Sequence, residues 1–387
     1  MVRNILQKLI LFLFIIVIVL GLSDIKSISE FNYLTNYAVW YIWWPFMMVI
    51  SLLSIRFWCM VCPLRTISEL YSKYSFGLRI PKIMYKYKLL SMVLIFMILH
   101  ATVVTLAIDR LPITTAIYLL VLLQYSALMA LIFKKKSFCS VFCPLGGIMY
   151  IFSRVGLIKL GPNNKNQCHS CNNKTCGENC PVSLSPQELP SEFCVFCTNC
   201  MKSCSKNNIV FYRENPLKYR SRVMGKGEIL SIIILLGIAI TEFVERLEEM
   251  AVPGGNWNLI PGKIIGFIPD KLSQIGINPY GFKMFLIVWD YLIIPLFVVF
   301  TLTVILRVIL FRKSFIYHLN NLATSIVPLI FAIFLAVLIN YPLTLFYTGP
   351  GLVRKVILLM LLLLGLIASL YIFFRNLLYD PTGQTKI

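Results

Sequence analysis

The chain has few charged side chains and large regions without cysteine. Charged residues make up 13% of the 387 residues, hydrophobic residues make up 58%, and the mean hydropathy is +0.80. So little charge excludes an ordinary soluble globular domain, which carries about 25% charged residues. Cysteine is absent from residues 1–58 and 205–387, so all twelve cysteines lie between Cys59 and Cys204. The sequence also lacks a nucleotide-binding fingerprint, and we find no convincing internal repeat in it.

Long apolar stretches predict an all-α polytopic membrane protein with about eight transmembrane helices. A helix needs about 20 apolar residues to cross the hydrocarbon core. Eight stretches approach that length, at residues 5–21, 38–58, 89–108, 113–133, 228–244, 284–306, 322–346 and 352–374. The first stretch is not followed by a convincing small-residue cleavage site, which favours a retained helix over a signal peptide.

The charge that is present is strongly basic, with a net charge of +20 from 36 basic and 16 acidic residues. In a soluble protein this excess would suggest nucleic acid, but here the basic residues cluster in alternate loops between the apolar stretches. That alternation follows the positive-inside rule, so we expect membrane lipid around the helices and no nucleic-acid partner. The rule places both termini and every cysteine on the cytoplasmic side of the cell membrane. Thiols on that reducing side favour metal binding or redox chemistry over structural disulfides.

Eight cysteines form two consecutive runs in a polar segment, residues 161–212. Their spacing is close to the one with which a peptide wraps a 4Fe–4S cube and gives its fourth thiolate to a neighbouring cube. This crossed arrangement predicts Cys168, Cys171, Cys176 and Cys204 at one cluster, and Cys194, Cys197, Cys200 and Cys180 at the other. A segment this short has no conventional hydrophobic core, so it needs cross-links such as metal clusters to fold. Zinc is the alternative, because Cys-x2-Cys pairs also form tetrahedral thiolate sites.

The same segment resembles bacterial two-cluster ferredoxins over residues 168–204, with all eight ligand positions present. Two features depart from the ferredoxin pattern. Four residues separate Cys171 from Cys176 where two are usual, and Ser205 stands where a proline is expected. The resemblance implies two 4Fe–4S clusters that carry electrons.

Four further cysteines lie where apolar stretches end, namely Cys59, Cys62, Cys139 and Cys143. Cys62 and Cys143 each precede a Pro-Leu pair, and proline interrupts the incoming helix. Two such helix ends on one side of the membrane predict that the four sulfurs meet there as one redox or metal site. The alternative is simple packing at helix ends, since a free cysteine behaves as a small apolar residue.

The N-terminal half, residues 1–212, resembles the NapH/NosR-type membrane iron–sulfur proteins, which are related to FixG/CcoG-type oxidase accessory proteins. The resemblance implies transfer of electrons between a membrane carrier and a partner redox protein. The membrane carrier that we expect is a quinol. The chain departs from the family in the spacing Cys59-x2-Cys62, where three intervening residues are usual. We therefore expect three parts, which are a four-helix membrane domain (1–160), an inserted cytoplasmic ferredoxin-like 2×4Fe–4S segment (161–212) and a four-helix membrane extension (213–387).

A quinol oxidation site needs a proton acceptor inside the membrane, and His100 in the third predicted helix suits that task. A structural hydrogen bond is the alternative role for this histidine. Glu242, Asp290 and Asn340 are further polar candidates in later predicted helices.

The leading interpretation is a membrane-bound electron-transfer protein of the quinol dehydrogenase type. Two others stay open: a metal-handling or assembly factor that binds or reduces copper or another ion, and a transporter with a redox-sensing ferredoxin domain.

Overall fold

The computed structural model is built from helices and one small sheet. It describes residues 2–23, 34–53, 56–133, 137–171, 175–178, 180–182, 184–185, 189, 191–215, 224–251, 279–310, 314–346 and 351–378. The chain divides into two compact units, each described by itself below. Unit 1 comprises Met1–Ile95 and Arg110–Tyr219, and unit 2 comprises Phe96–Asp109 and Arg220–Ile387.

The α-helices in the described part of the chain are α1 (Val2–Leu22), α2 (Trp44–Leu53), α3 (Trp58–Val61), α4 (Pro63–Tyr71), α5 (Lys82–Lys86), α6 (Lys88–Leu106), α7 (Pro112–Ile132), α8 (Pro144–Phe152), α9 (Lys165–His169), α10 (Thr175–Glu178), α11 (Asn199–Lys202), α12 (Lys226–Ala251), α13 (Pro279–Leu310), α14 (Phe315–Ser325), α15 (Val327–Phe346) and α16 (Gly351–Leu378). Short 3-10 turns follow α4, α6 and α8, at Ser72–Tyr74, Ile108–Arg110 and Ser153–Val155. The described residues also form two π-helices, at Tyr37–Trp43 and Phe138–Phe142. They form two strands, β1 (Ile158–Pro162) and β2 (Ile209–Arg213).

Six helical segments in the described residues are long and apolar enough to cross a membrane, which fits the predicted membrane protein. They lie in α1, α6, α7, α13, the α14–α15 pair and α16. The predicted span 38–58 instead forms a π-helix followed by α2, which ends at Leu53. The predicted span 228–244 lies inside α12, which carries Lys226, Glu228 and Glu242. The total of about eight spans therefore stays a prediction, as do the identity of the membrane and the side on which the termini lie.

In unit 1 the cysteine-rich segment is enclosed by its own two strands. β1 precedes the first cysteine run and pairs antiparallel with β2, which follows the second run. Leu160 lies opposite Phe211 in this register, and Leu160 is fully buried. The pairing brings the two ends of the segment together, so the intervening loops project from one short sheet.

Two stretches of unit 1 share a backbone pattern that is not evident from the sequence. Cys62 and Cys143 both have non-helical backbone angles and are followed by nine-residue helices that begin with proline, α4 and α8. Both helices end on a serine with φ −61° and ψ −15°, at Ser72 and Ser153. Cys143 follows Cys62 by 81 residues, and Ser153 follows Ser72 by the same number. Unit 1 therefore contains a structural repeat centred on the two Cys-Pro turns.

The repeat accommodates the different cysteine spacings with different turns. Cys59 lies in the α-helical turn before Cys62. Cys139 lies in the π-helix before Cys143, whose amide donates to the carbonyl of Phe138, five residues earlier, at 2.8 Å. A π turn holds one residue more than an α turn. The π turn thus accommodates the extra residue between Cys139 and Cys143. Cys59 and Cys139 therefore each lie one turn before the cysteine that precedes proline.

Unit 2 contains helices that cross closely at glycines. A Cβ placed on Gly237 of α12 would lie 2.2 Å from the carbonyl oxygen of Tyr291 in α13, and one on Gly365 of α16 would lie 2.3 Å from the Cβ of Ala332 in α15. Small residues let helix backbones approach each other in membranes, where packing replaces the hydrophobic effect. The crossing at Gly237 positions Tyr291, which belongs to the membrane site described below.

Candidate metal centres and membrane site

Four cysteines of unit 1 line one small pocket. They are Cys180 from the end of the first run and Cys194, Cys197 and Cys200 from the second. The remaining walls are apolar side chains, namely Leu160, Leu184, Leu189 and Val195. The four residues that spacing assigned to the second cluster therefore line a common pocket whose other walls are apolar.

The loop that carries three of these cysteines has an unusual backbone. Phe196 and Thr198 adopt left-handed conformations, with φ of 53° and 58°. Such angles are strained for side chains other than glycine and persist only where the surroundings require them. Phe196 is 4% exposed and packs on the ring of Phe211 in β2, with ring centroids 5.6 Å apart. Packing thus holds a tight loop on which three successive cysteines face one pocket.

Asn208 connects the two ends of the other cysteine group. Its side-chain Nδ2 donates to Cys168 Sγ at 3.2 Å, and its backbone N–H donates to Cys204 Sγ at 3.4 Å. Burial raises the pKa of Cys176, and the neighbouring Cys204 and Cys171 thiols raise it further. Asn208 thus links the start of the first run to the end of the second, and the crossed ligation stays a prediction. Asn208 is not part of any sequence motif, and sequence reasoning missed it.

The four membrane-edge cysteines belong to one buried cluster of side chains in unit 1. Burial, together with the charges of the Cys59 and Cys139 thiolates, raises the pKa of Cys62 to about 12. Burial also raises the pKa of Cys143 well above its ordinary value, again with contributions from Cys139, Cys62 and Cys59. These mutual effects place the four thiols within electrostatic range of one another. Both Cys-Pro turns contribute to the same cluster of packed side chains, and a shared site at the four sulfurs stays a prediction.

The donor sets consist of cysteine sulfurs, which are the ligands of iron–sulfur clusters. All twelve cysteines are free thiols. Among the described residues, no three or more His, Cys, Asp or Glu side chains are grouped closely enough to hold a metal ion. A 4Fe–4S cube has a wider ligand ring, because each of its four thiolates binds a different iron. Groups of four soft thiol donors around a shared space match that requirement.

In unit 2, His100 forms a hydrogen-bonded chain with two other side chains. Its Nε2 lies 3.3 Å from Glu242 Oε1, and its Nδ1 lies 2.9 Å from the Tyr291 hydroxyl oxygen. Tyr291 is fully buried, and the side chains of His100 and Glu242 are 17% and 12% exposed. Sequence reasoning named His100 and Glu242 separately and missed Tyr291, since no local pattern links residues so far apart in the chain. Asp290 is half-buried, and Asn340 Oδ1 is buried with no hydrogen-bond partner among the described residues.

The family described as a 4Fe–4S binding domain matches residues 38–81 and 115–163. Each matched stretch contains one Cys-Pro turn, with Cys59 and Cys62 in the first and Cys139 and Cys143 in the second. Both segments therefore cover the structural repeat rather than the eight-cysteine segment. No solved structure matches this chain.

Three curated proteins are similar to parts of the chain. Two are uncharacterized proteins of Methanocaldococcus jannaschii: MJ0750 is 34% identical over 25% of this chain and 39% of its own length, and MJ0749 is 32% identical over 19% and 29%. The third, named "Putative electron transport protein YccM", is from Escherichia coli K12 and is 26% identical over 28% of this chain and 30% of its own length. The chain thus covers well under half of each relative.

The comparisons and the helices together support one class of protein. The matched family binds 4Fe–4S clusters, one relative is named for electron transport, and six helices fit a membrane. These findings support an iron–sulfur electron-transfer role for this membrane protein.

Proposed function

We propose that this protein is a membrane electron carrier that takes electrons from a quinol and delivers them through iron–sulfur clusters to a partner redox protein. The observation that carries the proposal is the pocket that Cys180 shares with Cys194, Cys197 and Cys200. A thiol from one run placed among three from the other is the ligand pattern of the two-cluster ferredoxins. When bound, the clusters supply one-electron carriers, and the side chains around them control access and potential.

The proposed ligands of the first cluster are Cys168, Cys171, Cys176 and Cys204, and those of the second are Cys194, Cys197, Cys200 and Cys180. The proposed ligands of a third centre are Cys59, Cys62, Cys139 and Cys143. The third assignment is supported by the family match, which covers both Cys-Pro turns. Following the basic-loop pattern, we place these centres on the cytoplasmic side of the cell membrane, where a partner redox protein would exchange electrons with them.

The quinol site we propose is the chain of His100, Glu242 and Tyr291. Oxidation of one quinol releases two protons and two electrons. With Glu242 ionised, His100 Nε2 donates to the carboxylate and Nδ1 accepts from the Tyr291 hydroxyl, at the distances given above. The Tyr291 hydroxyl can then take a proton from the quinol while it gives its own proton to His100 Nδ1, and the Nε2 proton of His100 passes to the Glu242 carboxylate, so that the chain acts as a general base. Intramembrane ionisable residues of this kind mark proton pathways.

The cluster assignment is tested by exchanging single ligands in protein purified without oxygen. Cys180→Ser is expected to alter the electron paramagnetic resonance signal of the cluster held by Cys194, Cys197 and Cys200. Cys176→Ser, the matched variant four residues earlier, is expected to alter the other signal. Loss of the same signal in both variants would contradict the crossed ligation.

The quinol assignment is tested by comparing two reductants. His100→Gln is expected to slow cluster reduction by a quinol analogue by about a hundredfold or more, the range typical for loss of a general base, while reduction by dithionite is unchanged. His318→Gln changes another buried histidine of unit 2 and serves as the control. Equal quinol rates in wild type and His100→Gln would exclude His100 from the site and leave the cluster assignment intact.

A further inference from the structure

Two arginine side chains are buried within unit 1 beside the membrane-edge cysteines. Arg56 is 1% exposed and Arg65 is 2% exposed. Burying a guanidinium is costly unless a negative charge compensates it. Two such side chains at one place therefore point to an anionic partner.

Arg56 is incompletely satisfied by the protein. Its Nη1 donates to the carbonyl of Phe193 at 3.2 Å, and its Nε has no hydrogen-bond partner among the described residues. A Cβ placed on Gly146 would lie 2.7 Å from Arg56 Nη2, so a glycine at this position leaves room for the guanidinium. Gly146 is three residues after Cys143, and the positive charge of Arg56 acts on that cysteine.

Arg65 lies at the other Cys-Pro turn. Its Nη1 donates to the carbonyl of Cys59 at 3.2 Å, and its Nε donates to Glu69 Oε1 at 2.8 Å. The Glu69 side chain is 45% exposed, so water screens much of its charge. The charge of Arg65 also acts on Cys139 and on Cys197 of the eight-cysteine segment.

The structural repeat relates the two guanidiniums. Arg65 is three residues after Cys62, and its counterpart 81 residues later is Gly146, where the guanidinium of Arg56 lies. Each Cys-Pro helix therefore has one buried positive charge at its first turn. Both charges also reach the stretch 193–197, Arg56 through the Phe193 carbonyl and Arg65 through its charge interaction with Cys197.

We propose that Arg56 and Arg65 form a cationic pair that binds an anionic iron–sulfur centre at the four membrane-edge cysteines and links it electrostatically to the centre of the Cys194–Cys200 run. This inference rests on the proposed function, which supplies both centres. A cube with four thiolate ligands is negatively charged and gains a further negative charge when it accepts an electron. Two buried positive charges therefore stabilise the reduced form and raise the midpoint potential.

The test is an anaerobic redox titration of the full chain, followed by electron paramagnetic resonance. Arg56→Gln and Arg65→Gln are each expected to shift the midpoint potential of the membrane-edge centre to more negative values, with a smaller shift at the Cys194–Cys200 centre. Arg56→Lys and Arg65→Lys keep the charge and are expected to stay close to wild type. Arg154→Gln is the matched control, because Arg154 is 4% exposed in the same unit and lies over the ring of Tyr150.

Gly146→Ala provides a variant in which both arginines are kept. The added methyl group occupies the space of the Arg56 guanidinium, so the potential is expected to shift in the same direction as in Arg56→Gln. Iron retained after exposure to a chelator gives a second readout that does not depend on electron transfer. Gln variants that lose the membrane-edge centre, while the Lys variants keep it, would support the requirement for positive charge.

Two results would overturn the proposal in different ways. Potentials unchanged in both Gln variants, or shifts equally large in the Lys variants, would show that the charge of the pair does not act on the centre. A wild-type protein with no centre at these four cysteines would remove this proposal together with its premise. The two failures are distinguishable, because the first leaves the wild-type signal in place.

Discussion

Asn208 contacts two sulfurs of the first proposed cluster, one through its side chain and one through its backbone N–H. It hydrogen-bonds Cys168 and Cys204, and it is held in place by Asn164, whose carbonyl accepts from Asn208 Nδ2 at 2.7 Å. Hydrogen bonds to ligand sulfurs stabilise the more negative, reduced form of a cluster and raise its potential. Spacing identifies cysteine ligands, but it does not show which neighbours donate to them.

We predict that Asn208→Ala lowers the midpoint potential of the first cluster and makes its iron easier to remove with a chelator. The lost side-chain hydrogen bond to Cys168 is the physical reason. Asn166→Ala, an exposed asparagine of the same segment, is the control and should behave as wild type. A redox titration in which both variants match wild type would contradict the prediction.

The buried thiols give a pH dependence. Burial, together with the charges of neighbouring cysteine thiolates, raises the pKa of Cys194 and of Cys200 to about 12. With no metal bound and the packing of this loop retained, these thiols are therefore protonated at neutral pH, and the reactive thiolate increases as the pH rises towards about 12.

We predict that iodoacetamide modifies these two cysteines in metal-free protein more slowly than it modifies glutathione at neutral pH. The rate of modification of an ordinary thiol levels off above a pH of about 8.5. The rate for these two cysteines should keep rising tenfold per pH unit well beyond that pH. Mass spectrometry of the labelled peptides measures both cysteines separately. A rate that levels off with that of glutathione would contradict the raised pKa values.

At the scale of elements, hydropathy located the long helices but not the turns that build the sites. Apolar length predicts α1, α6 and α7 because crossing the hydrocarbon core is a property of local composition. The π-helix before Cys143 and the left-handed Phe196 depend on packing within the folded unit, so local sequence preference does not reveal them. The repeat was missed for a related reason, since it is a similarity of backbone more than of side chains.

The crossing of α12 and α13 gives a prediction at this scale. Gly237→Ala places a methyl group against the backbone at Tyr291, and overpacking of this kind costs roughly 1–3 kcal/mol. We expect a lower thermal unfolding temperature in detergent and slower reduction by a quinol analogue, because Tyr291 contacts His100. Gly225→Ala is the control, since a Cβ at Gly225 meets no atom within 4 Å. Equal unfolding temperatures for the two variants would contradict close packing at Gly237.

At the scale of the whole molecule, the alternation of basic loops predicts which side each loop faces. Tyr74 is 74% exposed and precedes α6, whereas Arg110 is exposed and follows it. If α6 crosses the membrane once, these two positions lie on opposite sides, with Tyr74 in the cytoplasm. An impermeant thiol reagent applied to intact cells should therefore label Arg110→Cys above the wild-type background and leave Tyr74→Cys unlabelled. Inverted vesicles should give the reverse pattern, and labelling of Tyr74→Cys in intact cells would overturn the orientation.

The iron and acid-labile sulfide content of the full chain, purified without oxygen, tests the central claim most directly. Three cubes with four irons each predict about 12 iron and about 12 sulfide per chain. About 8 of each would support the two ferredoxin-type clusters and exclude a third cube at the membrane edge. Bound zinc with no acid-labile sulfide would contradict the account of this protein as an iron–sulfur electron carrier.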